Sequence, residues 1–244
     1  MIERIGIISD IHGNMPALEA VLHDIKQRGL SRIICLGDLA GKGPCSVKAV
    51  DRIRETCHDV IQGNWDYLLS IDQTHPRFTW HQQKLGEERV AYLRHLPRYM
   101  EFYMSGRLIR LCHASPHDLF HRVYLTSNMA DRLVLFNETE TLNQVSDVVG
   151  YGDIHGAHVD CFDGKMLFNV GSVGNPLELA QASYAIMEGE WGCRDEDRPF
   201  ALTLVRVPYD IKRAIEDAEA EIGLPDRDEY IKELITAKYR GRND

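Results

Sequence analysis

Apolar positions follow two rhythms along this chain. Short solid runs, Ile5-Gly6-Ile7-Ile8 and Ile33-Ile34-Cys35-Leu36, have the length and continuity of buried strands. Between them Leu18, Val21, Leu22 and Ile25 recur at helical spacing. The first unit is therefore a strand over 4–9, a loop, and a helix opened by Pro16 and closed near Gly29. The second is a strand over 32–36, a Gly/Pro-rich loop over 37–45 and a helix over 46–57 carrying Val47, Val50 and Ile53, after which 59–61 leads into Gly63-Asn64. Strand, loop and helix in that order imply parallel strands.

The middle of the chain changes rhythm. Residues 78–96 predict a long helix, and 99–104 and 107–112 flank Ser105-Gly106 as an antiparallel hairpin. Strands over 148–151, 159–162 and 166–170, the last two joined by Asp163-Gly164, suggest a second sheet. Strands over 183–187 and 201–207 follow. Charge-rich helices over 209–222 and 228–239 then read as solvated amphipathic faces. No repeat or long linker divides the chain, so it reads as one domain over 1–244 with a helical C-terminal segment at about 209–244. The segment 74–97 is expected to form either part of a substrate wall or a simple covering helix, with equal weight.

Composition narrows the class. With 44% apolar and 27% charged residues, 244 positions suffice for a large, well-buried α/β core. No run approaches the roughly 18 apolar residues of a membrane span, and the first apolar run stops at Asp10 without a cleavage pattern, so a cytoplasmic protein without a membrane partner is expected. Six cysteines without a C-x-x-C pair fit buried thiols in a reducing compartment. A net charge of −9 argues against an extended nucleic-acid surface and leaves a small anionic, phosphorylated substrate as the expected partner. A homo-oligomer is left open.

The candidate chemistry lies in separated segments: Ser9-Asp10-Ile11-His12-Gly13-Asn14, Gly37-Asp38, Gly63-Asn64-Trp65-Asp66, Cys112-His113 and Gly152-Asp153-Ile154-His155. Each follows an apolar run, where an α/β sheet delivers its loops to one crevice. In extended backbone, Asp10 and His12 would point to the same side and grip one ion. Asp38 has two oxygens and is able to bridge two ions; Asn64 offers a carbonyl, His113 and His155 imidazoles. Each segment alone is weak evidence, and their conjunction predicts a two-metal site. A Cys112–His113 nucleophile pair is disfavoured, because neighbours in a strand face opposite sides.

These segments resemble the calcineurin-like metallophosphoesterases, whose pattern runs D-x-H, G-D, G-N-H-(D/E), H and G-H-x-H. The loop 41–44, His113–Pro116, Gly171-Ser172 and Val207-Pro208-Tyr209-Asp210 extend the likeness to small bacterial phosphodiesterase-type members over nearly the whole chain. The resemblance implies an α/β fold, a four-layer α/β/β/α sandwich of two mixed sheets with a binuclear site at one edge. Carried over, one metal takes Asp10, His12 and His155, Asp38 bridges, and the second takes Asn64, His113 and Asp153. Asp38, Asn64 and His113 are the implied catalytic residues, and Asn14 would orient the phosphoryl group. The implied cofactors are two divalent metal ions, Mn²⁺ first, with Mg²⁺, Fe, Ni or Zn as alternatives.

Two positions depart from the pattern. Asp153 stands where the family has histidine, which adds a negative charge that lowers the net charge of a two-metal site by one and supplies a hard oxygen donor suited to Mn²⁺ or Mg²⁺. Trp65 stands where the family has the histidine that assists the leaving group. Its indole donates a hydrogen bond but cannot shuttle a proton; His117, His121 and His158 are the candidate replacements. The expected function is a phosphoesterase hydrolysing a phosphodiester or phosphomonoester by metal-activated hydroxide. The alternative is a catalytically impaired binding scaffold of the same fold.

Overall fold

The structure is a computed structural model and describes residues 1–241, so the last positions of the predicted C-terminal segment lie outside the described residues. Strand β1 (Glu3–Ile8) runs through helix α1 (Met15–Gln27) into the parallel β2 (Arg32–Cys35), and α2 (Ser46–Thr56) leads to β3 (Asp59–Val60). Asn14 caps α1, accepting from the Ala17 N–H, and proline opens the helix as expected. Two helices follow, α3 (Asn64–Ser70) and α4 (Pro76–Arg94). The first has no apolar period that announces it. The second is broken at Gly86, where φ is 72° and the chain leaves helical geometry.

Strands β4 (Tyr99–Met104) and β5 (Arg107–Cys112) form the expected hairpin, with Ser105 and Gly106 both at positive φ, as a tight primed turn requires. Helix α5 (Met129–Val134) is short, and β6 (Val148–Tyr151), β7 (His158–Phe162) and β8 (Lys165–Asn169) complete a sheet of order β4-β5-β6-β8-β7. Next, β9 (Ala182–Gly189) and β10 (Ala201–Val207) join the first sheet antiparallel, giving β10-β9-β1-β2-β3. Helices α6 (Ile211–Ala220) and α7 (Arg227–Thr236) end the chain, with a 3-10 turn at Tyr239–Gly241.

The two mixed sheets face each other across Ile5, Ile7, Ile34, Leu36, Ile109, Leu111, Val148 and Phe168. Alternate residues of the first sheet, such as Ile8 and Cys35, turn the other way onto Leu18, Val21, Ile25, Val50 and Ile53 of α1 and α2. This layering is the expected sandwich. Its fourth layer is thin, because the outer face of the second sheet is covered by Val123, Leu135 and Phe136 from the long connection between β5 and β6 rather than by a full-length helix.

The C-terminal helices are amphipathic as read: most of their charges face solvent, while α6, α7 and the turn between them bury Ala214, Ala218, Leu224, Tyr230 and Leu234 against one another and Trp80. One charge departs from that pattern. Glu233 of α7 is 4% exposed and pairs with Lys42 at 3.2 Å. The cysteines are all free; Cys35 and Cys112 are buried, but Cys161 is exposed, so burial does not hold for every thiol. Among the described residues no helix is long and apolar enough to cross a membrane.

Candidate metal centre

The loops after β1, β2, β3, β5 and β6 meet at one edge of the sandwich, and their backbones are tied together before any side chain acts. Asp10 N–H donates to Gly37 O at 3.0 Å, and Ile11 and His12 N–H both donate to Asp38 O. Gly37 and Gly63 pass so closely that a Cβ on Gly37 would strike the Gly63 backbone. Buried Asp66 accepts from the N–H groups of Asp38, Leu39 and Gly63 at 2.7–3.0 Å, fastening two loops to each other. Burial beside Asp38 pushes its carboxyl up to about 7, while those N–H donors pull the other way.

Asp10 and His12 come together, but not for the reason the sequence suggested. The strand ends at Ile8, and both residues are left-handed, with φ of 55° and 47°; Asp38, Asp153 and His155 share that conformation. Non-glycine residues there cost of order 1–2 kcal/mol each, and five such positions in one cluster mark a site whose geometry is imposed by its surroundings.

The side chains converge closely. His155 Nε2 lies 3.2 Å from Asp10 Oδ1 and 3.3 Å from His12 Nε2. The two oxygens of Asp38 face different partners: Oδ2 is 3.5 Å from His12 Nε2, and Oδ1 is 3.5 Å from His113 Nε2. Two ligand groups result, Asp10 with His12 and His155, and Asp10 with Asp38 and His113. His113 Nδ1–H donates to Leu36 O and His155 Nδ1–H to Asn175 O, leaving each Nε2 with a lone pair aimed inward.

The donor set fits divalent cations. Asp10 Oδ1 and His113 Nε2 are buried without a hydrogen-bond partner, and two imidazole nitrogens face each other at contact distance, an arrangement a cation relieves. Burial pushes His12 down to about 3. Burial also works against charge on His113, yet Asp38 and Asp10 hold its protonated form well above the ordinary histidine range. Burial opposes charge on Asp10 too, but His155, His113 and His12 outweigh it and hold that carboxyl below the usual range. A divalent ion placed among these groups takes the place of the proton they share.

Not every expected residue joins on the same terms. Asn64 turns its Nδ2 toward Asp153 Oδ1 at 2.5 Å, and Asp153 Oδ1 stands 3.9 Å from His113 Nε2. Asn14 corrects the reading of it as a phosphoryl contact: its Oδ1 caps α1 and its Nδ2 donates to Gly174 O, so it holds the loop of Asp10 and His12 in place. Cys112 points to the outer cluster with Tyr151, and burial pushes its thiol up to about 12, so it is no nucleophile beside His113.

The ligands open into a cleft of about 650 Å³ walled by Trp65, by Arg77 and His81 of α4, by Arg122, and by Tyr230 and Glu233 of α7. Trp65 is half-buried, edge-on to His12 at 5.9 Å and to His81 at 6.3 Å, and its backbone N–H donates to Asp38 Oδ1. None of His117, His121 and His158 lines this cleft; His81 does. Sequence reasoning passed over Lys42, His81 and Arg122. Only Arg122 had a signal, and an indirect one: a buried Asp153 in place of histidine calls for a cation, and Arg122 Nε supplies it at 3.0 Å.

The family model of the calcineurin-like phosphoesterase superfamily domain matches residues 4–191. The chain belongs to that superfamily. It is 32% identical over 237 residues to the uncharacterized protein MJ0912 of Methanocaldococcus jannaschii, an alignment spanning 87% of this chain and 90% of that one. It is 29% identical to phosphodiesterase YfcE of Escherichia coli over 202 residues, 77% of this chain and 88% of the relative. The solved metallophosphoesterase from Sphaerobacter thermophilus matches with a TM-score of 0.74 and 26% identity, covering 97% of this chain and all of that one. Members of this superfamily use divalent metal ions, and the cluster described above supplies candidate ligands of the required kinds.

Proposed function

We propose that this chain is a metal-dependent phosphodiesterase acting on a small phosphorylated substrate at a binuclear centre. The observation that carries the reading is the convergence of Asp10, His12, Asp38, His113 and His155 with buried donor atoms left unpartnered. When bound, divalent ions supply an activated water and neutralise charge on the phosphoryl group. Asp10, His12 and His155 would hold one ion; Asp38, with an oxygen turned to each side, would be shared; His113, Asn64 and Asp153 would complete the second. The Trp65 N–H fixes the rotamer of Asp38, and the Leu36 and Asn175 carbonyls fix the tautomers of His113 and His155. Three carboxylates beside imidazoles favour Mn²⁺ over softer ions.

Trp65 decides the preferred ester. Its indole cannot protonate a departing alkoxide, so substrates whose leaving group departs as a stable anion are favoured. Asp153 supports diesters over monoesters, because a third carboxylate weakens attraction for a dianion. The competing reading, a non-catalytic scaffold, is favoured by the attachment of Asp153 to Asn64 and Arg122. Elemental analysis of protein purified without chelator, with bis(p-nitrophenyl) phosphate hydrolysis assayed after adding Mn²⁺, separates the two. Two equivalents of metal with turnover are expected; no metal uptake and no turnover would establish the scaffold.

A further inference from the structure

We propose that Arg122 is a substrate-binding residue of this cleft, its guanidinium held by Asp153 so that its terminal Nη groups grip the non-reacting phosphoryl oxygens. The proposal rests on the phosphoesterase reading above. Arg122 comes from the long connection between β5 and β6 and enters the cleft beside Asp38, Asn64 and Asp153. Its Nε donates to both oxygens of Asp153, at 3.0 and 3.2 Å. That attachment occupies only Nε–H, and the two Nη groups have no partner among the described residues. The side chain is 52% exposed while Asp153 is 1% exposed. One end of the pair is therefore rigid, and the other presents a planar fork of donors to the cleft.

Stability alone does not account for this arrangement, because an ion pair with one half-exposed partner contributes little. Recognition of an anion accounts for it better. A guanidinium matches two oxygens of a phosphoryl group at once, a geometry a point charge lacks. Asp153 is itself fixed from two further directions: its backbone N–H donates to Asp10 Oδ2 at 3.2 Å, and Asn64 Nδ2 donates to its Oδ1. The arginine is thus tied to the same loops that carry the candidate ligands. Histidine at 153 would add imidazole to the centre but leave Arg122 without its anchor. Asp153 returns, through Arg122, the positive charge its own carboxylate removes, and does so on the side where substrate enters. In this role Asp153 is a positioning residue.

The test uses Arg122→Ala, Arg122→Lys, Asp153→Asn and the Arg122→Ala/Asp153→Asn double variant of the Mn²⁺-loaded protein. Bound metal is measured by elemental analysis, inorganic phosphate binding by calorimetry, and turnover with bis(p-nitrophenyl) phosphate. Arg122→Ala is expected to retain its metal, bind phosphate on the order of tenfold more weakly and raise KM similarly. Arg122→Lys should recover part of the loss, and low, non-denaturing guanidinium chloride should partly rescue Arg122→Ala. Compared at equal bound metal, because Asp153 is also a candidate ligand, Asp153→Asn should weaken phosphate binding more when Arg122 is present than when it is absent, the non-additivity of two residues acting as a unit. Unchanged phosphate affinity in Arg122→Ala, or full additivity in the double variant, overturns the assignment of Arg122 while leaving the enzyme reading intact. Wild-type protein that neither takes up Mn²⁺ nor hydrolyses the diester overturns both.

Discussion

At the scale of single residues, Asp38 and Trp65 carry the clearest predictions. Asp38 faces His12 with one oxygen and His113 with the other, so Asp38→Asn removes the charge that both imidazoles and any shared ion need. Metal-dependent diester hydrolysis should fall to background, and bound metal, measured by elemental analysis, should drop with it. Trp65→His tests the missing proton donor. Positioned acids are worth about 10²–10⁴ in rate, so hydrolysis of an alkyl phosphodiester should rise by about tenfold or more while that of bis(p-nitrophenyl) phosphate changes little. Equal changes for both esters would show that the tryptophan acts only by packing. Residue types and their order in the chain announced these positions; their backbone did not. Asp10 and His12 are left-handed rather than extended, because tertiary hydrogen bonds to Gly37 and Asp38 outweigh local preference, and no spacing rule contains that information.

Elements depend on side chains that the sequence places far apart. Arg110 of β5 is fully buried against Glu101 of β4, and its guanidinium also donates to the carbonyls of Leu135, Asn137 and Gln144. It therefore staples part of the long connection after β5, the same connection that carries Arg122, to the second sheet. Removing one member of a fully buried pair strands the other, so Arg110→Met should cost about 3–5 kcal/mol, read from chemical denaturation midpoints. Hydrogen exchange over 135–144 should accelerate in the same variant. A Glu101→Met/Arg110→Met double variant should regain much of the stability, since neither charge is then left uncompensated. Strands and their hairpins were legible because short apolar runs and the Ser105-Gly106 and Asp163-Gly164 turns are local signals. The cover formed by α7 was not. Its Glu233 reads as a surface charge until Lys42, distant in sequence, arrives to bury it.

For the whole molecule, buried histidine makes stability depend on pH. Burial pushes His81 down to about 4, below the value of about 6.5 it has in an unfolded chain. As pH falls, the unfolded state takes up the proton first. The stabilisation of neutral His81 is thus complete above about pH 6.5 and is lost as pH falls toward 4, at up to about 1.4 kcal/mol per pH unit. Denaturation midpoints of His81→Gln between pH 7 and 4.5 should show a shallower acid slope than wild type; equal slopes would remove His81 from the account. The sequence by itself determined the alternation of strands and helices and the ligand types, because periodicity, turn chemistry and residue identity are local properties of a chain; the two-sheet sandwich was legible only through the family resemblance that its motifs carry. Only the tertiary structure decided which way those ligands face, that Asn14 serves the fold, that α7 joins α4 in walling the cleft, and that Asp153 is joined to Arg122. Those facts depend on distances between segments remote in sequence, and they are set when packing brings separate loops to one edge of the sheets.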